Sequence, residues 1–237
     1  MAGMVPIPES SSSPHQETHQ VGPWRVVVRS DVGLARSRLE DAWKVVKGLT
    51  MGGRPVDAFA VFDGLGGLPY GQEAAWAAAD ALGRVVAAST GPDDVLPALN
   101  KVVRETGGAT TAVVALMYDD EPGHGVLLCV GDSAAYMRDA EGRLQILNPK
   151  DSVGPHVLSD FLGNLNMKGH RRPIEVPVDG SLMLCTDGVD GVADPARLST
   201  VLGANGTAPV KAIDALFSEI HDRGAPDNAT AVVAYRA

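Results

Sequence analysis

Apolar runs and helix-favouring stretches follow one another along the chain and predict its secondary structure. The run WRVVVRSDVG, which begins at Trp24, is rich in β-branched residues and predicts the first strand. The segment 56–64, VDAFAVFDG, is continuously apolar, which is typical of a strand buried on both faces. The Ala-rich residues that follow favour a helix over 72–88. A second helix is predicted after it, with Asp93 as its N-cap and Pro97 in its first turn.

The rest of the pattern contains more strands than helices. Strands are predicted at 42–50, 109–119, 124–133, 134–140, 143–149, 173–178, 181–188 and 228–236, and helices at 156–163, 194–203 and 208–224. Strands and helices therefore come in groups and do not alternate one by one. Such an order favours an α+β fold with mainly antiparallel sheets over a doubly wound parallel sheet.

Length and composition fit a single domain with an N-terminal tail. The chain has 237 residues, of which 45% are hydrophobic, and this suits one ordinary globular domain. Residues 1–22 are rich in Pro, Ser, Gln and His, so we predict a disordered leader there and one domain over 23–237. His15 and His19 lie in that leader, where a mobile tail makes a poor metal site. The leader has neither the basic start nor the apolar core of a signal peptide.

Charge and cysteine usage restrict the partners and the compartment. The net charge is −9 and no dense basic cluster is present, which argues against a nucleic-acid binder. No apolar run approaches the ~20 residues of a membrane helix. Cys129 and Cys185 lie inside apolar runs, and we predict that both are buried free thiols. These features favour a cytoplasmic protein, and we expect a monomer without membrane partners.

Carboxylates stand where the most apolar strands begin or end in turns. These residues are Glu40, Asp41, Asp63, Asp132, Asp187 and Asp227. A single aspartate in a turn is explained by hydrogen bonds to nearby backbone amides. Several carboxylates gathered at one place would repel one another unless a cation neutralised them. Oxygen ligands without nearby cysteine or paired histidine favour Mg²⁺ or Mn²⁺, and two such ions ~4 Å apart can clamp a phosphoryl group.

The sequence does not match other common motifs of phosphate-binding proteins and hydrolases. The stretch DGLGG at the end of the 56–64 strand has neither G-x-G-x-x-G spacing nor the Lys-Ser/Thr pair of a P-loop. The sequence also has no G-x-S-x-G, H-E-x-x-H or paired C-x-x-C motif. Gly66 and Gly67 are therefore assigned to the turn that leads into the next helix.

Six motifs, in order from about Arg25, resemble those of the metal-dependent serine/threonine protein phosphatases, the PPM or type 2C family. They are SDVGLARSRLEDAW, VFDGLGG, GGATTAVVAL, CVGDSAAYM, LMLCTDGVDG and PDNATAVV. Each motif alone is weak, but their order and spacing are specific, and they are closest to bacterial members. The resemblance implies a four-layer αββα sandwich. In it, helix pairs at 72–106 and 194–222 would each cover one of two mainly antiparallel sheets.

The resemblance also implies a dinuclear Mg²⁺ or Mn²⁺ site. Asp63 would bridge the two ions and would be the central catalytic position. The carbonyl of Gly64 and the carboxylate of Glu40 would complete the shell of one ion, partly through water. Asp187 and Asp227 would hold the other ion.

Further positions complete the site that the resemblance implies. Asp41 would act through water or from behind the ligands, and Asp132 matches the place of a third, weaker ion in bacterial members. Arg36 lies where the family has its phosphate-binding arginine, with Arg38 as the alternative; a guanidinium there could grip two phosphate oxygens. A metal-bound water would attack phosphorus in line without a phospho-enzyme. Leu65 stands where some relatives have a histidine, so no side-chain acid is assigned to the leaving group.

The chain departs from the family pattern at three places. Leu39 replaces the usual Asn before the acidic pair, and Ala134 replaces the usual Arg of GDSR. Only about 30 residues separate LNPKDS from SLMLCTDG, so the flap around 150–172 is predicted to be short and the site open. We predict a phosphoserine or phosphothreonine protein substrate, with a small phosphorylated metabolite as the alternative. A catalytically weak or inactive regulatory module of the same fold is the second alternative.

Overall fold

The computed structural model describes residues 15–66, 69–154, 157–204 and 208–236. Within these ranges the chain forms thirteen strands and five α-helices. The strands are β1 (His15–Val21), β2 (Trp24–Asp31), β3 (Asp41–Met51), β4 (Arg54–Asp63), β5 (Ala112–Tyr118), β6 (His124–Val130), β7 (Ala134–Arg138), β8 (Leu144–Ile146), β9 (Ser152–Gly154), β10 (Val157–Leu158), β11 (His170–Glu175), β12 (Ser181–Cys185) and β13 (Ala229–Arg236). The helices are α1 (Gly71–Ala88), α2 (Val95–Thr106), α3 (Asp187–Asp190), α4 (Pro195–Leu202) and α5 (Pro209–Asp222).

Two antiparallel sheets form the centre of the fold. One has the strand order β1-β2-β13-β12-β7-β8 and the other β11-β6-β5-β4-β3, while β9 and β10 form a separate hairpin. The sheets pack face to face through apolar side chains that point inward from both, among them Val28, Leu184, Phe59 and Leu127. Alternate residues of a strand point to opposite faces, so the central strands bury apolar residues on both sides.

Helices cover the outer face of each sheet. Leu82 of α1 and Leu99 of α2 pack with residues of the five-stranded sheet such as Val114. Leu198 of α4 and Phe217 of α5 pack on the six-stranded sheet. This order of layers confirms the predicted αββα sandwich and the sheet that each helix pair covers. Both cysteines are buried free thiols, as predicted.

The N-terminal boundary of the ordered domain differs from the prediction. Strand β1 occupies His15–Val21 and pairs along its whole length with Trp24–Ser30 of β2, so order does not begin near Trp24. The predicted disordered leader is therefore wrong over 15–21, while residues 1–14 lie outside the described residues. Polar side chains hid this strand in the sequence, because six of its seven residues, HQETHQ, are polar.

Two other local predictions are wrong because aspartates fold the backbone differently. The helix predicted at 156–163 does not form over its described residues, 157–163; Val157–Leu158 form β10, and the carboxylate of Asp160 accepts hydrogen bonds from the amides of Lys168 and Gly169. Asp93 does not cap α2. A 3₁₀ turn at Pro92–Asp94 precedes that helix, and Asp94 accepts from Thr90 instead.

The fold brings the acidic strand ends to one end of the sandwich. Strand β3 begins where β4 ends, since Asp41 and Asp63 are cross-strand partners. Asp132 and Asp187 follow the ends of β6 and β12, and Asp227 precedes the start of β13. These three aspartates line one pocket together with Asp63. Among the described residues, no helix is long and apolar enough to cross a membrane.

Candidate metal centre

Asp63 is held in place through its backbone. Its amide donates to Oγ1 of Thr111 (3.1 Å), and its carbonyl accepts from the Thr111 amide and the Thr110 hydroxyl, both at 2.8 Å. Thr111 is in turn hydrogen-bonded to the hydroxyl of Ser133 at 2.7 Å. The Thr-Thr pair therefore fixes the end of β4 and directs the Asp63 side chain into the pocket.

Three carboxylates from three strand ends converge. Oxygen atoms of Asp63, Asp132 and Asp187 all lie within 4.8 Å of one another. Burial is the main reason why the pKa of Asp63 lies well above its usual value, and the neighbouring aspartates raise it further. Burial, followed by Asp132 and Asp227, raises the pKa of Asp187 to about 6. Carboxylates crowded in this way fit a hard divalent cation, which would relieve their repulsion.

Arg36, Glu40 and Asp227 line the same open pocket, whose volume is ≈ 570 Å³. Nη2 of Arg36 donates to Oδ2 of Asp227 at 2.7 Å. Burial raises the pKa of Glu40, although the guanidinium of Arg36 opposes this shift. Arg38 is exposed and is not among the residues that line the pocket. Position therefore favours Arg36 over Arg38 as the phosphate-binding arginine.

Asp41 lies behind the pocket and does not line it. Its side chain is buried, and Oδ2 accepts from the hydroxyl of Thr186 at 2.8 Å. Burial raises the pKa of Asp41 to about 7, although hydrogen bonds from Thr230 and Thr186 lower it. Since Thr186 directly precedes Asp187, Asp41 supports that strand end from the interior.

Asn228 also lines the pocket, and sequence reasoning did not single it out. Its Oδ1 accepts from the amide of Glu40 at 2.7 Å. Its Nδ2 donates to the carbonyls of Val32 (2.9 Å) and Arg38 (2.8 Å). Asn228 thus ties the loop that carries Arg36 and Glu40 to the start of β13. Its place directly after Asp227 in the motif PDNATAVV was the available signal.

Lys150 and α3 form a second support behind Asp187. Nζ of Lys150 lies 2.8 Å from Oδ2 of the buried Asp190, which also accepts from the hydroxyl of Tyr136 at 2.9 Å. The ammonium of Lys150 lowers the pKa of Asp187 against the larger effect of burial. These contacts hold the short helix on which Asp187 is the first residue.

Three glycines of the site lie where any side chain would collide with neighbouring atoms. A side chain at Gly66 would collide with Oε2 of Glu40 and Nη1 of Arg36, and one at Gly64 would collide with the backbone of Gly71 and Glu40. A side chain at Gly188 would overlap the carbonyl of Asn228. Gly67, which was assigned to the same turn as Gly66, lies outside the described residues.

One wall of the pocket is apolar. Leu65 contributes to it, together with Val157 and Leu158 of the β9–β10 hairpin and Phe161. The side chains of Val153 and Val157 on that hairpin are 74% and 53% exposed. No histidine of the described residues lines the pocket. The floor of the pocket is therefore acidic, and one of its walls is apolar.

Comparison with family models and with curated sequences finds no match, whereas comparison with solved structures finds matches over most of the chain. The chain matches no protein-family model and no curated protein. PppA, "a key regulatory component of T6SS in Pseudomonas aeruginosa", is 26% identical with a TM-score of 0.74, over 93% of this chain and 100% of that chain. MsPP, a PPM Ser-Thr phosphatase from Mycobacterium smegmatis solved with cacodylate, is 22% identical with a TM-score of 0.74, over 90% and 98%.

A third match was solved with metal. The catalytic domain of the serine threonine protein phosphatase PstP, in complex with 2 manganese ions, is 23% identical with a TM-score of 0.69. The match covers 90% of this chain and 97% of that chain.

Proposed function

We propose that this chain, which has the fold of the PPM-type serine/threonine phosphatases, is a member of that family and a metal-dependent phosphomonoester hydrolase. The observation that carries the proposal is the convergence of Asp63, Asp132 and Asp187 beside Arg36 in one pocket. Structural relatives include protein phosphatases, one of them solved with two manganese ions. A cluster of acids with one guanidinium suits the charge of a phosphate bound through cations.

The residues present fit two divalent ions, Mg²⁺ or Mn²⁺. We infer that Asp63 would be the central ligand, and that Glu40, the carbonyl of Gly64, Asp187 and Asp227 would hold the ions with it. When bound, such ions supply a hydroxide nucleophile near neutral pH and stabilise charge on the phosphoryl oxygens. Asp132 and Asp187 would hold a third ion, and Asp41 would support the strand end that carries Asp187 from the protein interior.

The chain's own side chains would orient the ester and shield the reaction. Arg36 lies 2.7 Å from Asp227, and a phosphate in the pocket would accept hydrogen bonds from the same guanidinium. Leu65, Val157 and Phe161 would limit access of water on the other side. No histidine of the described residues lines the pocket, and its carboxylates are assigned to the ions, so solvent would protonate the leaving alkoxide.

A phosphorylated protein is the favoured substrate. Val157, Leu158 and Phe161 offer an apolar surface for residues that flank a phosphoserine or phosphothreonine. A sugar phosphate or other polar metabolite would instead need polar partners along that wall. The short flap, the cytoplasmic location and the monomeric state stay predictions.

A substrate panel tests this function. With Mn²⁺, the protein is expected to hydrolyse p-nitrophenyl phosphate and to prefer phosphopeptides with apolar flanking residues over small phosphate esters, measured as kcat/KM. A metabolite whose kcat/KM exceeds that of the peptides by orders of magnitude would overturn the substrate class but not the phosphatase. Bound Mn²⁺ without turnover of any ester would instead favour a regulatory module.

Arg36→Ala is expected to reduce kcat/KM for phosphopeptides by about 10²-fold, because the phosphate loses a two-pronged, charge-assisted contact. The matched control is Arg38→Ala, which removes an exposed arginine from the same loop and should change kcat/KM by less than about threefold. Steady-state kinetics at saturating Mn²⁺ measure both. A larger loss in Arg38→Ala than in Arg36→Ala would contradict the assignment.

A further inference from the structure

The segment LNPKD, residues 147–151, connects strand β8 to the β9–β10 hairpin. It contains no proposed metal ligand, and none of its residues lines the acidic pocket. Three of its side chains nevertheless bind residues that neighbour two of the proposed ligands, Asp132 and Asp187. These side chains are Asn148, Lys150 and Asp151.

Asp151 fixes the residue that precedes Asp132. Its Oδ2 accepts from the amide of Gly131 at 3.0 Å, and its own amide donates to the carbonyl of Gly131 at 2.9 Å. The φ angle of Gly131 is +98°, and a side chain there would collide with Thr111. Gly131 is therefore held between Asp151 and Thr111, the residue that also holds Asp63.

Asn148 fixes the residue that follows Asp132. Its Nδ2 donates to the carbonyl of Ser133 at 3.0 Å, and its Oδ1 accepts from the amide of Ala135 at 2.7 Å. Asn148 is buried, so these bonds are shielded from water. The backbone of Asp132 is thus held on both sides by one segment of the chain.

Lys150 of the same segment supports Asp187 through helix α3. Its Nζ lies 2.8 Å from Oδ2 of Asp190, which is the last residue of the helix that begins at Asp187. The segment therefore supports Asp132 and Asp187 together. Oxygen atoms of these two carboxylates lie within 4.8 Å of each other, and they are the pair proposed for the third ion.

We propose that Asp151 is a positioning residue, which keeps Asp132 in the orientation that it needs to share a divalent ion with Asp187. The inference rests on the proposed function, because it requires that the acidic pocket binds divalent ions. Asp151 acts through Gly131 and is not itself a ligand, since it does not line the pocket and its Oδ1 lies 2.7 Å from Nε2 of His170. Loss of a residue that orients a metal ligand typically weakens metal binding by about 10- to 100-fold.

Mn²⁺ titration of the full chain, followed by electron paramagnetic resonance of the free ion, tests this role. Asp151→Ala should weaken the weakest class of bound Mn²⁺ by about 10- to 100-fold and change the tighter class by less than about threefold. Asp151→Asn should retain most of the weak binding, because its amide oxygen can still accept from Gly131. If Asp151→Ala does not fold, as judged by circular dichroism, Asp151→Ser shortens the side chain and takes its place.

The matched control is Asp139→Ala. Asp139 also accepts a backbone amide in a turn, that of Arg143 at 2.8 Å, but it lies outside the pocket. Its loss should lower the thermal midpoint and leave both classes of Mn²⁺ unchanged.

A double-mutant cycle separates positioning from general destabilisation. If Asp151 acts through Asp132, then Asp132→Asn/Asp151→Ala should bind Mn²⁺ as Asp132→Asn alone does. A further, additive loss in the double variant would overturn the inference, as would a weak class that Asp151→Ala leaves unchanged. A wild type that binds only the tighter class would overturn it too, while leaving the two-ion proposal intact. A wild type that binds no Mn²⁺ would overturn the proposed function as well.

Discussion

Asp63→Asn is expected to lower Mn²⁺-dependent hydrolysis of p-nitrophenyl phosphate by on the order of 10³-fold or more, to near the background rate. Asp63 lies at the centre of the acidic group, with an oxygen within 4.8 Å of both Asp132 and Asp187. An amide offers one neutral oxygen where the proposed metal ligand is a charged carboxylate. The loss should therefore appear in kcat at saturating metal and also in metal affinity.

The same substitution should stabilise the protein in EDTA. Burial and the surrounding aspartates raise the pKa of Asp63, so the negative charge of its carboxylate is disfavoured in the folded protein. Asn at this position removes that charge and should raise the thermal midpoint in EDTA while reducing the gain caused by Mn²⁺. Differential scanning fluorimetry with and without Mn²⁺ measures both effects.

Asp222→Asn is the matched control, since Asp222 is exposed at the last position of α5. It should leave activity and the Mn²⁺-induced stabilisation unchanged. An Asp63→Asn protein that retains wild-type turnover and an equal response to Mn²⁺ would remove the central role proposed for Asp63. A loss of activity with a lowered midpoint in EDTA would point to misfolding instead.

Much of the candidate site follows from strand periodicity. The apolar runs that end at Asp63, Asp132 and Asp187 are strands inside the two sheets, and all three end at the same end of the sandwich. The aspartates are therefore visible in the sequence as breaks in apolar runs. The structure adds their proximity, which depends on strand order and register and cannot be read from one run at a time.

The supporting residues were harder to find for a physical reason. Asn228 and Thr186 act through single hydrogen bonds to residues far away in the chain, Glu40 and Asp41. Nothing in their local sequence shows these partners. Strand β1 escaped prediction for a similar reason, because its stability comes from pairing with β2 along its whole length and not from its own composition.

The metal-free protein is expected to lose stability as pH rises. Folding raises the pKa of Asp41 from 3.8 to about 7 and that of Asp187 from 3.8 to about 6, chiefly through burial. The folded state therefore binds more protons than the unfolded state between these values. The resulting stabilisation is full below pH ~4 and is lost as pH rises through the folded pKa values. Urea unfolding in EDTA should show a decrease of roughly 2–4 kcal/mol between pH 5 and pH 8.

Saturating Mn²⁺ should flatten or reverse this dependence, because a cation binds the deprotonated carboxylates and must displace their protons. Asp41→Asn tests the cause within the metal-free protein. An amide can still accept from Thr186 but does not titrate, so this variant should lose a substantial part of the pH slope. Asp222→Asn should retain the wild-type slope. If Asp41→Asn also retains it, the slope comes from other groups, and the buried carboxylate behind the pocket is not the source of the proton uptake.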